Sequence, residues 1–273
     1  MREIRVFDGE ELRASLFHPQ AKRLFVTFRQ RVAVAGEFED RGPVKNMTQH
    51  GYAHLHIQCR NNDWYVNSET KALSRSLRAL ASGYDDVAAM GFSMGGYGAL
   101  RFSADLNLSR LIAVSPQYTI AQGVVPHDRR RREAAAFDAG LGDLVRYGRH
   151  GVQGVVLFDP FRKMDLNHAL YIQAVFPDLQ LCRLSCGGHP ASQVIRDGGS
   201  FWDLQSMLRS GPLAAARVLA LHRQRRRLSQ TYWRRLARAA RQRGRMALGA
   251  AADARLEALA AAQAAGLSGG QES

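Results

Sequence analysis

Asp86-Val87-Ala88-Ala89-Met90, then Gly91-Phe92-Ser93-Met94-Gly95-Gly96, then Tyr97-Gly98-Ala99-Leu100, is the stretch of this 273-residue chain on which its fold turns. A short buried strand runs into a tight turn and then into an Ala-containing helix. A Ser at such a turn carries strained backbone geometry, which drives its hydroxyl out above the sheet edge. Gly91 and Gly95 leave room where side chains would collide across the turn. The helix beginning after Ser93 aims its positive end at the place where an oxyanion would form. Ser93 is therefore the candidate nucleophile and the Met94 amide the first candidate oxyanion donor. A second donor is expected in the loop after the strand ending at Phe28, at Arg29 or Gln30.

Outward from this turn, strands alternate with helices. Leu12–Phe17, Leu24–Phe28, Gly51–Ile57, Leu111–Val114, Gly154–Phe158 and Leu179–Leu184 read as short apolar or alternating strands. Helices are expected over Ser68–Leu80, where Leu73, Leu77 and Leu80 share a face, over Gly96–Ala104 and over His168–Val175. This alternation argues for a mostly parallel central sheet with helices on both faces. Pro116–Gln153 breaks the rhythm with Arg129-Arg130-Arg131-Arg132, an Ala-rich helical run and a short helix near Leu141–Tyr147. It reads either as a small cap or as a solvated surface helix.

A serine needs a base, and His189 follows the last strand in Ser185-Cys186-Gly187-Gly188-His189-Pro190, where two glycines let the loop fold back. His54 and His56 read as strand residues facing core or surface, and His150, His168 and His222 as surface residues. The acid should follow the preceding strand. Asp159 stands directly at its end and is preferred; Asp165, six residues on, is the alternative, with helix N-capping as its ordinary role. The chain order Ser, acid, His is that of the G-x-S-x-G hydrolases. Trp64 and Tyr65, in Asn62-Asp63-Trp64-Tyr65 after the strand ending near Cys59, are candidate substrate-binding residues at the same sheet edge, or else loop packing.

The formal net charge of +14 suggests an anionic partner, but the charge is uneven: from Phe201 onward 13 Arg face 4 acidic residues. After about Gly211 the composition turns to Ala, Arg and Leu, which predicts two or three helices broken near Ser229 and Gly249. The expected organisation is a catalytic domain over 1–210 and a basic helical extension over 211–273. That extension suits an acidic protein or anionic surface better than nucleic acid, or is simply a solvated face. The three cysteines, Cys59, Cys182 and Cys186, do not make a disulfide framework. The charged N-terminus and the lack of a long apolar run point to a cytoplasmic protein. No phosphate loop, dinucleotide fingerprint or metal-ligand spacing appears, so no cofactor or metal is expected.

Residues 1 to about 210 resemble the α/β-hydrolase superfamily through Gly91-Phe92-Ser93-Met94-Gly95-Gly96 and Gly187-Gly188-His189. They are also similar to bacterial members that share Asn62-Asp63-Trp64-Tyr65, Ser93–Tyr97, Ser115-Pro116-Gln117, Phe158-Asp159-Pro160 and Asp165 with His168-Ala169. The resemblance implies acyl chemistry on a small-molecule or acylated substrate: a serine esterase first, an acyltransferase with the same triad second. A catalytically silent binding module is the third reading. One departure stands out: Arg29-Gln30-Arg31 occupies the place after Phe28 where the superfamily carries a His-Gly pair.

Overall fold

In the computed structural model, residues 3–209, 211 and 213–268 are described, the side chains of 263–268 excepted. Eight strands form one sheet: β1 (Ile4–Asp8), β2 (Leu12–Phe17), β3 (Arg23–Phe28), β4 (Tyr52–Cys59), β5 (Asp86–Phe92), β6 (Arg110–Val114), β7 (Gln153–Phe158) and β8 (Leu179–Arg183). Their spatial order is β1-β2-β4-β3-β5-β6-β7-β8. β1–β2 and β2–β4 are antiparallel; every other pair is parallel. The edge strand β1 is an addition to the expected set; its five residues, Ile4-Arg5-Val6-Phe7-Asp8, lie among charges and carry little apolar signal.

Alternation along the central strands feeds two cores. Leu24, Val26 and Phe28 point to one face, with Leu73 and Leu77 of α2 (Thr70–Ala81), Leu100 of α3 (Met94–Arg101) and Ile172 of α5 (Lys163–Val175). Phe25, Met90, Ile112 and Val155 point to the other, with Met47 of α1 (Lys45–Thr48), Leu204 of α7 (Phe201–Ser206) and Val218 and Leu221 of α8 (Ala215–Arg225). With both faces covered, the inner strands read as nearly continuous apolar runs. Because Leu213, Val218 and Leu221 belong to this second core, the change of composition near 211 is not a packing boundary.

Two other expectations are corrected. The Ala-rich run after Arg132 is not helical: a 3₁₀ turn covers Arg129–Glu133, turns follow, and the only α-helix of the segment is α4 (Leu144–Tyr147). Asp138, Gly140 and Gly142 explain this, since the Asp138 carboxylate accepts from the amides of Gly140 and Leu141 in a local turn that competes with helix. At the C-terminus, α9 (Gln230–Arg241) begins where Ser229 caps the Tyr232 amide, as expected, but the next break falls at 242–245. Gly249 lies inside α10 (Met246–Ser268). Among the described residues no helix is long and apolar enough to cross a membrane.

Candidate active site

Ser93 sits between β5 and α3 with φ 50° and ψ −119°, a strained conformation for a residue with a side chain. The turn tolerates no bulk around it. A Cβ on Gly91 would lie 2.3 Å from the Gly95 carbonyl oxygen, and one on Gly95 would lie 2.7 Å from that of Phe28. The Ser93 hydroxyl is 2.8 Å from His189 Nε2, although 96 positions separate the two residues.

The other ring nitrogen, Nδ1, is 2.9 Å from Oδ2 of Asp165. An ionised carboxylate can only accept, so Nδ1 carries the proton and Nε2 is left free to accept from the Ser93 hydroxyl. The carboxylate at the imidazole is thus Asp165, not the preferred Asp159. Asp165 lies in the first turn of α5 and caps nothing; the N-cap position is Arg162. Asp159 spends Oδ1 on the Phe161 amide at 3.0 Å and Oδ2 on the Gly188 amide at 2.8 Å. It therefore grips the peptide beside His189 rather than the ring. Burial raises the Asp159 pKa, and the two amides pull against that rise.

Solved structures are similar to this chain at low sequence identity. A capsule O-acetyltransferase of Neisseria meningitidis serogroup A is 14% identical over 66% of this chain and 85% of its own, with a TM-score of 0.50. An esterase from Pyrococcus furiosus is 9% identical over 82% and 91%, with a TM-score of 0.46. Est1E from Butyrivibrio proteoclasticus is 13% identical over 75% and 98%, with a TM-score of 0.46. The chain has the α/β-hydrolase fold. No family model matches it, and neither does any curated protein.

In this α/β-hydrolase frame the loop after β3 departs from expectation. The Arg29 amide donates to Ile57 O at 2.9 Å and is not available to an oxyanion. Its guanidinium is tied to Glu37 O at 2.6 Å and Cys59 O at 3.0 Å. The next amide along, that of Gln30, stands in the loop that lines the Ser93 cleft. The Trp64 and Tyr65 expectation is also corrected: both are fully buried and neither lines the cleft. Tyr65 donates its hydroxyl to Arg29 O, and Trp64 donates Nε1–H to Gln117 Oε1 at 2.9 Å. They hold the sheet edge from behind.

Gln117 is the residue that sequence reading passed over as a site member. It is fully buried, and its Nε2 lies 3.3 Å from Ser93 Oγ and 3.1 Å from Ser115 O. Because Trp64 donates to its carbonyl, the amide orientation is settled: the NH₂ must face the serine. The Ser115-Pro116-Gln117 string marked the position, but nothing in it indicated that the chain after β6 returns to the serine.

The cleft holding Ser93, His189 and Asp165 has a volume of about 600 Å³. Its charges are largely paired. Arg31 forms a two-pronged bond to Glu133 at 2.7 and 2.5 Å, and Arg130 meets Asp128 at 2.7 Å. Arg162 is 3.5 Å from Asp165. Asp128 also accepts from His168 Nε2 at 2.9 Å, while His168 Nδ1 accepts the Tyr118 amide at 3.1 Å. Burial works to raise the Asp128 carboxyl, but His168 and Arg130 together hold it below the usual carboxylate range. His168 is thus a buried strut fastening the segment after β6, and His222 is buried as well, against Ser185 O at 3.1 Å; neither is a surface residue. His150 is exposed, as expected.

The basic extension reaches the site. Arg235 of α9 donates to Gly187 O and, at 3.1 Å, to Gln193 Oε1, beside the loop that carries His189. Tyr232 packs with Cys186 and Val194 in a small third core. One arginine of the run is therefore a bracket for the histidine loop.

Proposed function

We propose that the chain is a serine hydrolase, an esterase acting on an ester-type substrate (thioester and amide included) through an acyl-Ser93 intermediate. The observation that carries this reading is the pair of contacts from His189, 2.8 Å to Ser93 Oγ and 2.9 Å to Asp165. His189 Nε2 takes the hydroxyl proton as Oγ bonds to the substrate carbonyl carbon. The oxyanion is met by the Met94 amide and the Gln30 amide, a donor pair of the kind worth about 3 kcal/mol of barrier per member. Collapse expels the alcohol with the proton from His189; water then repeats the sequence in reverse and frees the acid. Asp165 holds the Nδ1–H tautomer and stabilises the imidazolium. Gln117 donates to Oγ and holds it in line.

An acyltransferase with the same triad differs only in the group that attacks the acyl-enzyme. It is favoured by one observation, a second and larger cavity adjoining the cleft at Gln30 and Pro190, with room for an acceptor. The three buried free cysteines suit a reducing compartment such as the cytoplasm. The exposed arginines of α8 and α9 suit an acidic protein or anionic surface. Fluorophosphonate labelling tests the central claim. Wild type is expected to be labelled, and Ser93→Ala and His189→Ala are expected to lose labelling and ester turnover. Undiminished labelling of Ser93→Ala would overturn the reading.

A further inference from the structure

The α/β connection after β3 is almost stripped of helix. Between Phe28 and Lys45 the chain is irregular, and α1 is only four residues long. The sheet beneath is consequently left partly uncovered, and a cavity of about 1000 Å³ opens over β3, β4 and β5. It shares two walls, Gln30 and Pro190, with the Ser93 cleft.

The floor of this cavity is a hydrogen-bond chain of defined direction. The Val44 amide donates to His54 Nδ1 at 3.3 Å, which puts the proton of a neutral ring on Nε2. His54 Nε2 meets Thr27 Oγ1 at 2.8 Å, so the threonine hydroxyl accepts there and donates onward to His56 Nδ1, also at 2.8 Å. His56 is left with its proton on Nε2, and that N–H has no partner although the residue is only 2% exposed. Burial, aided by the nearby positive charge of Arg41, lowers the His56 pKa to about 3, so the ring stays a neutral donor. The Nε2 atom is closed off from the open space of the cavity, and the buried Ser15 hydroxyl in register with His56 on β2 is likewise unpaired.

The walls are apolar: Met90, Phe92, Phe201 and the largely exposed Trp202. At the edge stand Arg41, Lys45 and Arg196, with no carboxylate among the lining residues. Arg41 is paired with Glu39 outside the cavity at 2.8 Å, and Arg196 lies 4.2 Å from the Phe201 ring centroid. Hydrophobic walls and a cationic mouth together describe one ligand class.

We propose that this cavity is a second binding subsite, taking an anionic amphiphile: a moiety with an alkyl or aryl body and a carboxylate or phosphate at the Lys45–Arg196 mouth. Resting on the serine-hydrolase reading, the occupant is one half of the substrate whose carbonyl lies at Ser93 past Gln30 and Pro190.

Calorimetry with decanoate, decyl phosphate and decanol tests it on the full chain. Decanoate, decyl phosphate or both should bind, whichever does naming the head group, and decanol about tenfold more weakly than the better of them. The double variant Lys45→Glu/Arg196→Glu, changed at two exposed positions, should lose about tenfold or more of that affinity. Its urea midpoint should stay close to that of wild type, so that a loss of affinity is not a loss of fold. Equal affinity for decanol or undiminished binding by the double variant would each overturn the proposal. Protection of Ser93 from fluorophosphonate by the bound anion ties the cavity to the reaction. If wild type is not labelled at all, the serine reading fails while the binding data still decide the cavity.

Discussion

The two cavities that meet at Gln30 and Pro190 are built on opposite electrostatic plans. In the cleft around Ser93, Arg31 is answered by Glu133, Arg130 by Asp128 and Arg162 by Asp165, so the chain itself consumes most of the charge, that of Arg129 excepted. Donors and acceptors there are spent on position: Asp165 on the ring, Asp159 on the Gly188 peptide, Gln117 on the hydroxyl. Across the shared wall Arg41 is answered by Glu39, but among the described residues no ion pair engages Lys45 or Arg196. A site that performs acyl chemistry needs preorganised groups satisfied before substrate arrives. A site that recognises keeps unsatisfied groups for its ligand. Under the proposed function the smaller cavity carries the chemistry and the larger one the selection.

The largest expected effect lies in the chemical half. Asp165→Asn should lower kcat about a thousand- to ten-thousandfold, because an amide can stabilise the wrong imidazole tautomer. Asp159→Asn, which keeps one oxygen for the Gly188 or Phe161 amide, should cost about tenfold or less. Steady-state kinetics on the pair decides; a larger loss in Asp159→Asn than in Asp165→Asn would return the acid role to Asp159.

A smaller effect is expected at the shared wall. Arg235→Ala removes the bracket on Gly187 O and Gln193. Because Arg235 positions the histidine loop without touching substrate, kcat should fall about tenfold with KM nearly unchanged. Arg235→Lys should recover part of the loss. A change confined to KM would instead make Arg235 a ligand contact of the larger cavity.

The smallest effect is thermodynamic and belongs to the buried imidazoles under and near the recognition half. Burial lowers the His56 pKa to about 3 and that of His222 to about 4, and pushes His54 well below its ordinary value. Below about pH 6.5 the unfolded chain takes up protons that the folded rings refuse, so stability is lost as pH falls from about 6.5 towards 4. The loss should be on the order of 1–2 kcal/mol per ring at pH 5, measured by urea midpoints. His56→Gln and His222→Gln should flatten this slope, and an unchanged slope would show the rings already protonated in the folded state.

Legibility followed the range of the interactions. β2 was bounded to the residue and most central strands to within a residue or two, because alternation and apolar runs are local signals. β1 was invisible because an edge strand buries little. Ser93 and His189 were readable since each sits in a glycine-flanked turn whose purpose is local. The preference for Asp159 over Asp165 does not match the geometry, because the choice depends on which carboxylate α5 carries over the ring 24 residues downstream. His168 and His222 read as surface polar residues; only docking of distant segments, at Asp128 and Ser185, buries them.

What the chain determined alone was periodicity and punctuation: an alternating α/β order, a strained serine between glycines, a histidine in a flexible loop, and the helical composition of the last sixty residues or so. Those follow from steric and propensity rules that act within one turn or one strand. Tertiary structure decided which acid meets the histidine, that Gln117 and Arg235 serve the site, that Trp64 and Tyr65 are buried, and that a cavity opens beside the cleft. Each of these is a contact between segments far apart in sequence. Such contacts are selected by how the whole sheet packs, and no local pattern encodes that.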